Sequence, residues 1–264
     1  MSRFCSLFSG SEANCCFVGA ANQGVLIDAG ASGIQILNQL AIKGIDLPSI
    51  KAVCVTHEHS DHIKGLSALI KKINVPIIAS AQTLSAIEKN CHLPKNANLL
   101  AIDSTMAVGD IEVTRFATSH DCLGSSGYAF VMPSGEKISV CTDLGVVTDT
   151  VRNAIFGSRL VFLESNHDIK MLKNGPYPPE LKLRIMGENG HLSNFACASE
   201  LPKLLNGGTS RFVLAHLSRN NNTPILAKST AKASFADIGA KEGEDYILEA
   251  ASVKSEKDGD DFFI

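Results

Sequence analysis

The sequence predicts an α/β fold of stacked layers, and three observations predict it. Short apolar runs, among them Ala52-Val53-Cys54-Val55, Leu160-Val161-Phe162-Leu163 and Phe212-Val213-Leu214-Ala215, read as buried strands. Stretches with apolar residues at helical spacing alternate unevenly with such runs. Polar, chemically useful residues follow the runs directly, and strand ends are where α/β architectures place binding sites.

Taken in order, the first thirty residues predict strands at Arg3 to Phe8, Asn14 to Gly19 and Gly24 to Asp28, separated by Ser, Gly and Asn turns. Ile34, Leu37, Leu40 and Ala41 then recur at helical spacing after Ser32-Gly33, and the buried strand at 52 to 55 follows. Next come a helix from about Asp61 to Ile73, a strand from Val75 to Ala79 and a helix from Gln82 to Lys89. Strands are expected near 99 to 102, 110 to 117, 127 to 132 and 137 to 142, before the two late runs at 160 to 163 and 212 to 215.

No fixed-period repeat and no Pro-, Gly- or Ser-rich linker divides the chain, so one domain is expected over residues 1–253. Lys254 to Ile264, rich in Asp, Glu, Lys and Gly, reads as a flexible acidic tail. Its last three residues, Phe262-Phe263-Ile264, are apolar and would suit a short docking peptide for a protein partner.

Hydrophobic residues are 45% of the 264 and charged residues 19%, a globular composition with enough apolar surface for a large core. The net charge of -3, without any basic cluster, argues against a general polyanion-binding surface. A nucleic-acid substrate gripped by metals in a short groove needs less positive charge than a protein that coats DNA. The start lacks a signal-peptide pattern and no eighteen apolar residues run together, so a soluble, cytoplasmic protein without a membrane partner is expected. The eight cysteines show no C-x-x-C pair and read as reduced, mostly buried thiols.

The chemistry concentrates in His57-Glu58-His59-Ser60-Asp61-His62, where four potential ligands fall within six residues between a strand and a helix. Alternate side chains of an extended segment share a face, so His57 and His59 can reach one ion, while Asp61 and His62 point towards a second. Imidazole with carboxylate suits zinc, iron, manganese or nickel, and the absence of paired cysteines argues against a closed structural zinc site. The plainer reading is a polar loop with Asp61 as a helix cap. His92, with no chemical neighbour in the sequence, reads as a surface residue.

Read together, these residues resemble the metallo-β-lactamase superfamily, whose signature is H-x-H-x-D-H after a strand, then a lone His, a lone Asp and a last His at later strand ends. Asp28 in Leu26-Ile27-Asp28-Ala29-Gly30 resembles the first motif's Asp, which supports the His loop. His120 in Ser119-His120-Asp121 resembles the third ligand of the first metal. Asp143 in Thr142-Asp143-Leu144-Gly145 resembles the bridging carboxylate, and His216 in Ala215-His216-Leu217-Ser218 the last ligand of the second metal.

Within the superfamily the chain is similar to the bacterial exonuclease-like branch of the YycJ/WalJ type. Four segments carry this: Ser9-Gly10-Ser11-Glu12-Ala13-Asn14-Cys15, Leu163-Glu164-Ser165-Asn166-His167-Asp168, Gly190-His191-Leu192-Ser193-Asn194, and Leu214 to Asn222 with Ser218-Arg219-Asn220-Asn221-Asn222 at its end. Ala13 stands where that branch usually has Gly.

The resemblance implies a four-layer αββα sandwich with two divalent metal ions, zinc or manganese, held by His57, His59, Asp61, His62, His120, Asp143 and His216. It implies phosphodiester hydrolysis, with Asp61 orienting water and His191 donating a proton, most simply as a 5′ exonuclease on DNA in a repair pathway. Asn14, Asn166, Ser193 and Asn194 have side chains suited to sugar-phosphate contacts. Asp28, Glu164 and His167 would stand behind the metal-bound imidazoles. Two other functions compete. A hydrolase of thioesters, lactones or cyclic phosphodiesters would use the same metal core and fits the missing basic patch. A non-catalytic metal-binding or redox protein is disfavoured, because no ligand is missing and the diiron redox branch has Glu where this chain has His59.

Overall fold

Fourteen strands and nine α-helices follow one another in a computed structural model that describes residues 1–20, 22–256 and 259–264. The first half opens with β1 (Ser2–Phe8), β2 (Cys15–Ala20) and β3 (Gln23–Ile27), the meander expected from their turns. It continues through α1 (Gly33–Ile42), β4 (Ile50–Cys54), α2 (Ser60–Ile63), α3 (Leu66–Ile73), β5 (Ile77–Ala79), α4 (Ala81–Asn90) and β6 (Leu99–Ala101). The second half runs β7 (Thr105–Val108), β8 (Ile111–Ala117), β9 (Ser126–Val131), β10 (Lys137–Cys141), α5 (Asp149–Ile155), β11 (Leu160–Glu164), α6 (Ile169–Asn174) and α7 (Pro179–Met186). It closes with α8 (Asn194–Asn206), β12 (Arg211–Ala215), α9 (Pro224–Ala236), β13 (Ile247–Ala250) and β14 (Asp261–Phe263).

Two seven-stranded sheets result, ordered β14-β1-β2-β3-β4-β5-β6 and β7-β8-β9-β10-β11-β12-β13. Each begins with three antiparallel pairings and ends with three parallel ones. The architecture is therefore duplicated although the sequence shows no repeat, since a shared strand order needs only matching apolar patterns. Alternation along the strands sorts the layers. Ala52 and Cys54 of β4 face Leu160 and Phe162 of β11 in the core between the sheets. Val53 packs outward among Leu40, Leu66 and Leu69 of the helices on one side. Val161 and Leu163 pack outward among Val151, Leu201 and Phe235 on the other. Helices thus cover both outer faces, giving the four-layer αββα sandwich, and strands buried on both faces explain the unbroken apolar runs.

Three expectations are corrected. The helix expected from Asp61 to Ile73 divides into α2 and α3 at Gly65, whose amide donates to Ala29 O at 2.8 Å; a Cβ there would lie 2.1 Å from Ala31 O. Strand β7 was missed because it lies at a sheet edge, half exposed, and shows little apolar patterning.

The residues expected to form a flexible tail, or a docking peptide, instead contribute β14, which pairs antiparallel with β1. Phe262 is buried against Phe4 with ring centroids 6.0 Å apart, and Arg3 is bonded to both carboxylate oxygens of Asp261. The apolar end therefore serves the core. Residues 257 and 258 of that stretch lie outside the described residues. All eight cysteines are free thiols, and no helix among the described residues is long and apolar enough to cross a membrane.

Candidate metal centre

The sequence-predicted ligands meet at one edge of the sandwich, at the C-terminal ends of strands from both sheets. Asp28 follows β3, His57 follows β4, Asp143 follows β10 and His216 follows β12. Asp28, Asp143 and His216 all adopt left-handed backbone conformations, with φ of 63°, 59° and 54°. Such conformations are unfavourable for residues other than Gly, most tolerable for Asp and Asn, and persist where the surroundings hold them. At His216 the hold is visible: its amide donates to Ser9 Oγ at 2.9 Å and its carbonyl accepts from Asn166 Nδ2 at 2.9 Å.

The His loop is clamped by backbone hydrogen bonds to the ends of β2 and β3. Asn14 N donates to Asp61 O at 2.8 Å, Gly30 N to Asn14 O at 2.9 Å, and Ala29 N to His62 O at 2.7 Å. This clamp explains Gly30, because a Cβ there would stand 1.6 Å from Asp61 O.

Groups behind the imidazoles set their orientation. His62 Nδ1 donates to Asp28 Oδ2 at 2.8 Å, a direction fixed by the carboxylate's inability to donate. Thr56 Oγ1 bonds the same carboxylate at 2.9 Å and lies 3.0 Å from His57 Nδ1. His120 Nδ1 donates to Gly190 O at 3.2 Å. His216 Nδ1 and His191 Nδ1 both donate to Glu164 Oε1 at 2.8 Å, and Glu164 Oε2 accepts from the amides of Leu144 and Leu192. In His57, His62, His120 and His216 these contacts hold Nδ1 and turn Nε2 towards the cluster, the arrangement found behind metal-ligating histidines, and His216 Nε2 has no hydrogen-bond partner among the described residues.

Asp143 stands between the imidazoles. Its Oδ2 is 3.3 Å from His62 Nε2, and its Oδ1 is 3.5 Å from His216 Nδ1 and 4.0 Å from His120 Nε2. Potential ligand atoms converge in the groups His57–His59–His120, His57–His62–Asp143, Asp61–His62–His216 and Asp143–Glu164–His191–His216. Asp143 Oδ2 and His216 Nε2 are buried and lack a hydrogen-bond partner among the described residues. Uncompensated buried polar atoms are costly, and a divalent cation would satisfy both, so the donor set fits metal.

Electrostatics follow the same geometry. Burial lowers the affinity of His57 for a proton, and the neighbouring His62, His120 and His59 lower it further. At His62 burial is opposed and outweighed by Asp143 and Asp28, which push its pKa well up. The Asp61 carboxyl is held well below the usual range: burial raises it, but the hydrogen bond and charge of His62 prevail. At His191 burial opposes ionisation, yet Glu164 and Asp143 together raise its pKa to about 9.

The sequence-predicted contacts outside this cluster fare differently. Asn14, expected at substrate, is 6% exposed, and its Nδ2 donates to Gly10 O while lying 3.1 Å from His62 Nε2, so it props the His loop. Asn166 is likewise buried and tied to His216 O. Asn194 exchanges amide hydrogen bonds with Asn222 at 2.9 and 2.8 Å and accepts from Ser165 Oγ. Ser193 Oγ accepts from Ala196 N as the cap of α8, although the residue borders a shallow cleft beside His191. His167 is buried with Nδ1 unpartnered among the described residues and makes no hydrogen bond to the cluster. Burial lowers its pKa to about 4, leaving it neutral. Asp28 accepts from His62 and Glu164 from His191 and His216, and His92 is exposed.

Two contributors went unnoticed in the sequence. Thr56 touches Asp28, His57 and His62, and its only signal was its place directly before the His cluster. Asp121 lies 3.4 Å from His120 Nε2 and 3.7 Å from His59 Nε2, and is paired with Arg184.

The family model described as the beta-lactamase superfamily domain matches residues 23–217. The chain is 34% identical over 247 residues to exodeoxyribonuclease YycJ of Bacillus anthracis, covering 93% of each protein. It is 32% identical over 248 residues to exodeoxyribonuclease WalJ of Streptococcus pneumoniae serotype 2, covering 92% of each. In fold it is similar to the metallo-beta-lactamase fold protein YhfI of Bacillus subtilis, with a TM-score of 0.70 at 14% identity over 96% of this chain and 98% of that one.

Proposed function

This chain belongs to the metallo-β-lactamase superfamily, in its YycJ/WalJ-type branch, and from that premise we propose that it hydrolyses phosphodiester bonds in DNA, releasing nucleotides from a 5′ end. The observation that carries this reading is the position of Asp143, a buried carboxylate that lies 3.3 Å from His62, 3.5 Å from His216 and 4.0 Å from His120, and so reaches imidazoles of both ligand sets. The names of the relatives supply the substrate class. In this reading the chain acts as one hydrolase domain.

His57, His59 and His120 would hold one divalent ion, zinc or manganese, and Asp61, His62 and His216 the other, with Asp143 shared. When bound, such a pair supplies a hydroxide near neutral pH and neutralises charge on the phosphoryl oxygens. Asp61, ionised and partly open to the cleft, orients the attacking water, and it takes that water's proton by its position rather than by its basicity, since, burial notwithstanding, His62 holds its carboxyl well below the usual range. His191 carries a proton at neutral pH, is held at Nδ1 by Glu164, and keeps about a fifth of its side chain exposed. It can therefore donate from Nε2 to a phosphoryl or leaving oxygen. In the balanced step a water oxygen bonds to phosphorus, the P–O bond to the leaving sugar oxygen breaks, and that oxygen ends protonated.

The test is release of mononucleotides from end-labelled single- and double-stranded DNA and RNA, with manganese or zinc, by the wild type and Asp61→Ala. Metal-dependent release from the 5′ end of DNA, reduced by about a thousandfold or more in the variant, is expected. The second reading, a small-molecule hydrolase, is favoured by the net charge of -3. Turnover of a thioester or lactone panel, with no nucleic acid cleaved under either metal, would replace the first reading with it.

A further inference from the structure

Helix α7 has eight residues and buries none of them. A helix this short is marginal on its own, and without a buried face it draws little support from the core. Apart from a bond of Lys182 Nζ to Lys173 O at 2.8 Å, its polar anchors lie at the candidate metal centre. Arg184 Nε donates to Asp121 Oδ2 at 2.6 Å, and Arg184 Nη2 lies 2.5 Å from the same oxygen. His191 N donates to Ile185 O at 2.9 Å. His120 Nδ1 is bonded to Gly190 O, and Gly190 packs so closely on the end of α7 that a Cβ there would lie 2.2 Å from Arg184 O and 2.3 Å from Ile185 O.

Asp121 faces two ways. While Oδ2 is taken by Arg184, Oδ1 is turned to the imidazoles, 3.4 Å from His120 Nε2 and 3.7 Å from His59 Nε2. Of the five imidazoles expected to hold metal, His59 alone has no hydrogen bond to a group behind it among the described residues; Thr56, Asp28, Gly190 and Glu164 serve the other four. Its Nδ1 is 3.0 Å from His57 Nε2, which places that nitrogen on the side of the cluster and leaves Nε2 towards Asp121. With about a third of its side chain exposed, His59 is also the most open of the five.

We propose that Asp121 is the carboxylate behind His59, that Arg184 aims it, and that occupation of the site formed by His57, His59 and His120 therefore seats α7. This rests on metal binding at the cluster and not on which substrate is cleaved. The Nε2 proton of an imidazole coordinated at Nδ1 is a stronger donor, so Asp121 Oδ1 gains a charge-assisted partner when the site is filled. Arg184 keeps the carboxylate turned to that side. The coupling is reciprocal: whatever a fixed His59 adds to metal affinity, metal returns to α7 as docking free energy. Because α7 supplies Leu181, Arg184 and Ile185 to the wall of a cleft of about 180 Å³ in front of His120 and His191, loading the centre and building that wall become one event.

Two measurements on the full chain test this. They use the wild type, Asp121→Asn, Arg184→Met and Arg184→Lys, with Lys170→Met, at an exposed position of α6, as a control of the same charge change as Arg184→Met. Zinc affinity is read by competition with a chelating dye, and hydrogen exchange of the amides in residues 179–186 is followed with zinc and with chelator.

In the wild type zinc is expected to slow exchange across α7 about tenfold, matching by reciprocity a loss of about tenfold in zinc affinity in Asp121→Asn and Arg184→Met, whose α7 exchange no longer responds to zinc. Arg184→Lys, which keeps the charge but loses the double contact, should fall between, and Lys170→Met should match the wild type. Exchange in α7 that ignores zinc in the wild type, or unchanged zinc affinity in Asp121→Asn and Arg184→Met, would overturn the latch. A wild type that takes up no zinc would bring down the metal centre together with the latch, which separates that failure from failure of the latch alone.

Discussion

At Gly30 a single methyl group would collide with the backbone that presents the His loop. The blocked atom is a carbonyl held by its own hydrogen bond to Asn14 N, so it cannot swing aside as a side chain would. Gly30→Ala is therefore expected to cost about 2 kcal/mol or more in urea unfolding, and to weaken metal uptake as the loop shifts. Thr56→Val makes a different kind of change, keeping the shape and removing the hydroxyl shared by Asp28, His57 and His62. Its expected outcome is an intact circular dichroism spectrum with metal affinity reduced about 10- to 100-fold, measured against a chelating dye. The two residues also mark what a sequence can show about a site. The His cluster was legible because its ligands are contiguous. Thr56 and Asp121 were not, because their contacts arise only where separate strand ends converge. Asn14, Asn166 and Asn194, expected at sugar-phosphate, show a related limit: an asparagine in a loop has the same letter whether it faces substrate or ties buried groups together, and here all three side chains are buried.

Among the elements, α5 and α8 are joined by Arg152 and Glu200 at 2.8 Å, with Lys203 on the same carboxylate at 2.9 Å. Burial raises the Glu200 pKa, but the hydrogen bonds of Arg152 and Lys203 outweigh it and leave the folded-state value below the ordinary one. A depressed carboxylate stabilises the fold above its unfolded-state pKa and loses that contribution as pH falls through the folded value. Glu200→Gln should thus cost about 1 kcal/mol at pH 7, and the gap to wild type should close on acidification below about pH 4.5. Urea titrations at several pH values check the sign. Strand β14 offers a second test. Deleting residues 259–264 removes buried Phe262 and the Arg3–Asp261 pair, so a loss of about 2–4 kcal/mol and a lowered melting temperature are expected. The double-faced strands were legible from their apolar runs, whereas β7 and β14 are short edge strands whose partners, not their patterns, make them strands.

Seen as a whole, the molecule places its candidate ligands on both sheets: His57, His59, Asp61 and His62 come from one, His120, Asp143 and His216 from the other. An ion bound there ties the halves together. Adding manganese or zinc to chelator-treated protein should accordingly raise its melting temperature, with about 4 kcal/mol gained at a thousandfold excess over Kd. The gain should shrink below pH 6, since the imidazoles must shed protons to bind metal. Alternation of strands and helices, read from the sequence, was enough for an α/β arrangement. The pairing of two like-ordered sheets was not, because strand order is a property of contacts far apart in the chain.

Strand β14 also bears on how the protein is made. Arg3 and its partner Asp261 are 258 positions apart, so a ribosome delivers β1 long before the strand that covers it. Throughout that interval the nascent sheet presents a bare row of amide and carbonyl groups along β1, the kind of edge that recruits strands from other chains. Until β14 arrives, β1 is therefore one edge at which newly synthesised copies are open to pairing with other chains.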